Sequence, residues 1–201
     1  MSPTYEFCSI RYLWAWQRTQ SKLHEELSQP NPDGDSIKAA LVSYKVHRNF
    51  GKLDEGKCDK ISELLTSHSR YLTLNNVASK VEELADAFYI EFGSNNLSAA
   101  SKLLWLRKRS PVVIFDSRAR KALLDLEYDF DPSDYSGYLE CWREEFADRE
   151  AEIRHAAARL PEINEFTGWQ HSIKELKELV TSDWFVKQIF DTYLWETGRE
   201  D

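Results

Sequence analysis

From residue 6 to residue 28 the apolar side chains fall three and four positions apart (Tyr12, Ala15, Trp16, Leu23, Leu27), and the pattern halts at Pro30-Asn31-Pro32-Asp33-Gly34. Such spacing lines one stripe of an α-helix, and the proline and glycine that follow end it. The same rhythm recurs along the chain and constrains the fold more than any other feature. It predicts helices over about 36–50, 58–74, 77–92, 97–107, 116–126, 135–160, 172–180 and 182–195. Gly51 and Gly93 fall where a helix stop belongs, and Pro161 closes the longest segment. No run alternates apolar and polar residues as a strand would, and no stretch repeats another. The fold class expected is therefore all-α: a compact, two-lobed helical domain over residues 1–201. An apolar content of 42% over that length supports one sizeable core, or two small lobes with a cleft lined by residues 94–121.

Several function classes drop out. There is no run of eighteen apolar residues for a membrane span, and the first residues lack the basic-then-apolar pattern of a secretory leader. Cys8, Cys58 and Cys141 are odd in number and far apart, which fits neither a zinc site nor a disulfide framework and points to the reducing cytoplasm. The five histidines are equally scattered, so neither a metal nor another cofactor is expected. The acidic stretch 125–134 lacks the central glycine and terminal glutamate of a calcium loop and reads as a solvated turn.

Charge is distributed less evenly. Residues 102–121 carry seven basic side chains and one acid, a local +6 in a chain of net −8, which leaves −14 on the rest. A sharply basic segment in an acidic protein implies a local anionic partner. On a helix starting near Leu97, Ser98, Lys102, Trp105 and Arg109 share a stripe, opposite a buried face of Leu97, Ala100 and Leu104. Lys102 is then expected on a polar edge. Asp116 follows the apolar run 112–115 and precedes a helix with Ala119, Ala122 and Leu123 on its inner face. There it would cap the helix, where free N–H groups and the dipole favour an ionised carboxylate. A fixed carboxylate beside bound DNA can stabilise the oxocarbenium character that develops when an N-glycosidic bond breaks.

The stretch 94–106, Ser94-Asn-Asn-Leu-Ser-Ala-Ala-Ser-Lys-Leu-Leu-Trp-Leu, followed by Pro111-Val-Val-Ile-Phe-Asp116-Ser-Arg-Ala-Arg-Lys-Ala-Leu, resembles the helix-hairpin-helix DNA glycosylase superfamily over about 30 residues. In that family a hairpin leads into a small-residue helix, and a proline-led apolar connector leads to an aspartate that opens the next helix. The resemblance implies that Asp116 is the catalytic carboxylate and that the hairpin at Ser94, Asn95, Asn96 and Ser98 holds a phosphate through backbone amides. Arg107, Lys108, Arg109, Arg118 and Lys121 would add phosphate contacts. The family's hairpin glycines are replaced here by Ser94-Asn95-Asn96 after Gly93. Asparagine tolerates the left-handed backbone such a hairpin uses. The family's Schiff-base lysine, where present, aligns near Ser98, and Lys102 comes about one turn later. The family's iron–sulfur cysteines are absent. The implied enzyme is monofunctional, with water as nucleophile and Lys102 pairing with Asp116 or a phosphate.

The implied partner is double-stranded DNA with a flipped base, handled by a monomer without cofactor. The base would be damaged, or hypermodified as in phage DNA, which would make the protein an antiviral defence enzyme. Tyr44, His47, Trp105 and Trp142 are the stacking or polar-tipped candidates for the base pocket. Two alternatives share the same residues: a DNA-binding module without chemistry, and a structural or regulatory protein whose basic segment docks on an acidic surface.

Overall fold

A computed structural model describes residues 3–94 and 96–199. The described residues are all-helical, with no strand. The order is α1 (Tyr5–Ala15), a π-helical segment (Trp16–Gln20), α2 (Ser21–Leu27), α3 (Gly34–Ser43), a 3₁₀ turn (His47–Phe50), α4 (Glu55–His68), α5 (Val77–Phe92) and α6 (Leu97–Lys108), followed by α7 (Ser117–Asp125), α8 (Tyr135–Ala158), a second 3₁₀ turn (Leu160–Ile163), α9 (Asn164–Thr167), α10 (Ile173–Thr181) and α11 (Asp183–Thr197). No helix among the described residues is long and apolar enough to cross a membrane.

Local side chains set most helix starts. Asp33 Oδ1 accepts from the Ser36 amide at 2.7 Å and Asp54 Oδ1 from the Lys57 amide at 3.0 Å, each satisfying an N–H that the helix leaves open. Asp134 takes the amides of Ser136 and Gly137, so the last acid of the 125–134 stretch is the cap of α8. Ser172 and Glu175 form a reciprocal capping box on α10.

The expected 36–50 helix breaks early. It ends at Ser43, and Lys45 turns the backbone into the left-handed region at φ 58° before the 3₁₀ turn. The expected 58–74 helix shifts to 55–68, because Asp54 caps it and Tyr71, at φ 55°, ends any continuation. Pro161 opens the second 3₁₀ turn, where its missing N–H costs nothing, so the chain continues helically beyond it.

The chain forms two compact units, one comprising residues up to Thr19 and from Asp116 onward, the other spanning Gln20–Phe115. In the Gln20–Phe115 unit, α6 packs against α2, α3, α4 and α5. Every residue from Ala99 to Arg107 is buried, the signature of a central helix with no solvent face. Ile37, Leu41, Ile61, Leu65, Leu84 and Phe88 supply much of the surrounding core. In the other unit α11 packs on α1, α7, α8 and α10, with Phe185, Ile189, Phe190, Tyr138 and Trp142 as its buried centre.

Candidate functional site

In the connector Val112, Val113, Ile114 and Phe115 are buried, as their sequence suggests, and lie outside any helix. Its end is fixed by a serine that sequence reasoning passed over. The Phe115 amide donates to Ser101 Oγ at 2.9 Å, and that hydroxyl donates in turn to the Ser98 carbonyl at 3.2 Å. Ser101 is fully buried in the small-residue turn of α6. A hydroxyl acceptor there removes the orphan donor an extended segment would otherwise carry against a helix. The residue before Lys102 thus holds the residue before Asp116.

Asp116 caps α7 from extended backbone (φ −124°, ψ 143°), its Oδ1 accepting from the Arg118 amide at 3.0 Å. It is half-buried. Behind it in the same unit lies Tyr138, fully buried, whose ionisation is pushed up well beyond the phenol range by burial and further by Asp191, Tyr135 and Asp116. Asp191 accepts from Trp142 Nε1 at 2.7 Å and from Gln188 Nε2 at 2.6 Å. These neutral donors keep a nearly buried carboxylate satisfied. Asp191 and Gln188 carry no sequence signal beyond being polar residues on an apolar helix face.

Lys102 departs from expectation. It does not sit on a solvated edge: it is 5% exposed, and its amine donates to Ser98 Oγ at 2.7 Å. The stripe of Ser98, Lys102, Trp105 and Arg109 faces protein because α6 is surrounded on every side. Ser98 is correspondingly engaged with Lys102. Trp105, 1% exposed, is core and cannot stack on a base. Trp142, also 1% exposed, lies on Phe146 with ring centres 5.2 Å apart and meets Phe190 edge-on at 5.0 Å. It too is packing. Tyr44 ends α3 and His47 opens the following 3₁₀ turn, both half-buried in the Gln20–Phe115 unit.

At the expected hairpin, the left-handed residue among those described is Gly93 (φ 74°), which ends α5 with its amide on the Tyr89 carbonyl at 2.8 Å. Asn96 is not left-handed. It is buried at φ −132°, and its Nδ2 turns back onto Ser94, 3.3 Å from both the carbonyl and Oγ. Asn95 lies outside the described residues.

The basic segment also reads differently in three dimensions. Arg107 is no phosphate ligand. Its buried guanidinium donates to Ser69 Oγ (2.8 Å) and to the carbonyls of Leu27 (2.5 Å), Gln29 (2.9 Å) and Pro30 (3.2 Å), closing the open end of α2. Lys121 pairs with Asp125 at 2.6 Å, one helical turn on, and Arg120 donates to the Pro132 carbonyl. Arg109 is half-buried in left-handed backbone (φ 55°) at the end of α6, and Lys108 is exposed. The Arg118 guanidinium lies over Trp195, 4.1 Å from the ring centre.

Burial pushes the Cys8 thiol up to about 12 and raises Cys58 and Cys141, the reverse of what a nucleophilic thiolate needs. No group of three metal-binding side chains is present among the described residues. The chain matches no family model, no curated protein and no solved structure.

Proposed function

We propose that this chain is a monofunctional DNA glycosylase, acting in the cytoplasm as a monomer without cofactor on a damaged or hypermodified base flipped from duplex DNA. The observation that carries the reading is the bond from the Phe115 amide to Ser101 Oγ. It fixes the residue that precedes Asp116, a half-buried carboxylate that caps α7 through its Oδ1. A preorganised carboxylate is worth most where its geometry needs no adjustment during reaction.

In this reading Asp116 stabilises positive charge on the sugar as the glycosidic bond lengthens. The base leaves with the bonding electron pair and takes a proton from solvent. Water forms the new bond to the sugar carbon and passes its proton to the carboxylate. Lys102, buried with its amine on Ser98 Oγ, does not attack the sugar. The internal engagement of Arg107, Arg120 and Lys121 favours the second reading, an interaction protein, to the extent that the basic segment serves the fold.

The test is incubation with normal, damaged and hypermodified DNAs, scored for abasic sites, for wild type and Asp116→Asn. The amide keeps the capping acceptor but removes the charge. We expect at least about a hundredfold loss of excision with DNA binding retained, and no borohydride-trapped adduct from the wild type. Excision by Asp116→Asn near the wild-type rate would refute the assignment, and a trapped adduct lost in Lys102→Ala would make the enzyme bifunctional.

A further inference from the structure

Outside the basic segment, one face of the unit containing α1, α7 and α11 collects arginine and aromatic side chains in alternation. Along α1, Phe7, Arg11 and Trp14 share a stripe, and Arg18 joins it from the π-helical turn, its guanidinium 5.5 Å from the Trp14 ring centre. Phe7 and Trp14 are 48% and 49% exposed. Arg11 lies 6.0 Å from the Phe7 ring and 5.3 Å from the Trp195 ring of α11. Trp195 in turn carries Arg118, so two guanidinium groups lie on one indole. Arg199 follows on the same helix end, with a largely exposed side chain. Glu196 is turned inward, 9% exposed, as an ion-pair partner 2.8 Å from Arg11 Nε and 3.9 Å from Arg199. Its charge anchors the arginines without facing outward.

We propose that this face grips an unpaired DNA strand, its guanidinium groups taking phosphates and its exposed rings stacking on bases. The inference rests on the glycosylase reading for the reaction and extends it by naming where the strand unpaired around a flipped base is held. Three features select a nucleic acid over an acidic peptide. The cations are all arginine, whose planar fork matches phosphate oxygens in pairs and stacks on rings at no cost to its donors. The rings are half-exposed, which a simple charge contact would not require, whereas base stacking does. The chain is at −8, so four arginines on one face form a local attraction against a repulsive background. Arg118 stands two residues after Asp116, so the grip adjoins the proposed reacting carboxylate.

The test is fluorescence anisotropy with a labelled single-stranded oligonucleotide, and its duplex, across a salt series. The variants are Arg18→Gln/Arg199→Gln, which leaves the Arg11–Glu196 pair in place, and Phe7→Ala, with circular dichroism to confirm folding. Expected is at least about tenfold weaker binding of the single strand by the double variant, with a salt slope shallower by roughly 1.4, since each lost phosphate contact contributes about 0.7 on single strands. Phe7→Ala should cost about fivefold or more. Unchanged affinity in both folded variants overturns the proposal. So does a poly-glutamate peptide that binds as tightly as the DNA and is indifferent to Phe7→Ala, which would mark an acidic protein as the partner. The two readings separate cleanly. Excision that proceeds in the double variant with unchanged KM removes this surface and keeps the enzyme. DNA binding lost in the double variant, with no base excised by wild type from any substrate, keeps the surface and removes the enzyme.

Discussion

Arg107 offers the sharpest test of the fold, because its guanidinium is buried, 9% exposed as a residue, and bonded to four acceptors with no carboxylate among them. Burial alone lowers its pKa, so the charge is held against a desolvation cost by carbonyl dipoles. Each hydrogen bond from a charged donor is worth about 1.5–3 kcal/mol, which would sum well above the net effect. Two corrections bring it down. Gln29 and Pro30 are exposed, so water replaces the guanidinium at their carbonyls in a truncated variant. Removing the buried cation also returns its desolvation cost. What remains is the Leu27 carbonyl left unmet in the interior and a cavity where the side chain lay, while the Ser69 hydroxyl keeps its bond to the Thr66 carbonyl at 3.2 Å. Arg107→Ala should therefore cost about 3–4 kcal/mol, or a fall in Tm of roughly 8–14 °C for a chain of this size. Arg107→Lys keeps the charge but cannot reach four acceptors from one ammonium, and should lose about half as much. Exposed Lys108→Ala, the neighbouring control, should stay within about 0.5 kcal/mol. Urea titrations followed by circular dichroism decide it. A loss under about 1 kcal/mol for Arg107→Ala would show that water already serves these carbonyls.

Two further measurements follow. At Gly198 a Cβ would sit inside contact distance of the Arg118 carbonyl and 3.2 Å from the Ala122 amide, all rigid backbone, so Gly198→Ala should lift the end of α11 from α7 and cost about 2–3 kcal/mol; an unchanged Tm would refute that close approach. His24 is held neutral by burial, which lowers its pKa below the usual 6.5 although the Leu106 carbonyl at 2.6 Å opposes the shift. The unfolded chain then binds the extra proton first, so stability should fall as pH drops below 6.5 and level off under the depressed folded value. His24→Gln should flatten that segment of the pH–stability curve, and a wild-type curve already flat there would contradict the assignment.

Helix existence was legible wherever apolar spacing and a stop residue coincided, as at Val77–Phe92 with Gly93 behind it. Boundaries slipped where the deciding feature was a turn residue with weak sequence preference: Lys45 and Tyr71 adopt left-handed backbone that their side chains do not advertise. The helix α6 misled for a different reason. Its polar residues suggested one wet face, yet Ser98, Ser101, Lys102 and Arg107 all find partners inside the protein. A periodicity argument assumes that polar means solvated, and a central helix with internally bonded polar groups breaks that assumption.

The same distinction governs the charge pattern that first suggested a polyanion partner. A count of basic residues along the chain cannot tell a cation that reaches outward from one that closes a helix end, because both need only a long side chain in the right register. Arg107 is of the second kind, and Lys121 is balanced by an acid one turn away. Arg118 is half-buried over the Trp195 ring, and the residues that accompany it, Arg11 and Trp195, are distant in sequence and joined only by the packing of α1 and α7 on α11. A linear window over 102–121 therefore gathers charges the fold disperses and omits those the fold assembles. Asp116 escapes the difficulty because its cue was local: a carboxylate between an apolar connector and a helix start is a cap whatever packs around it, and its Oδ1 does cap α7.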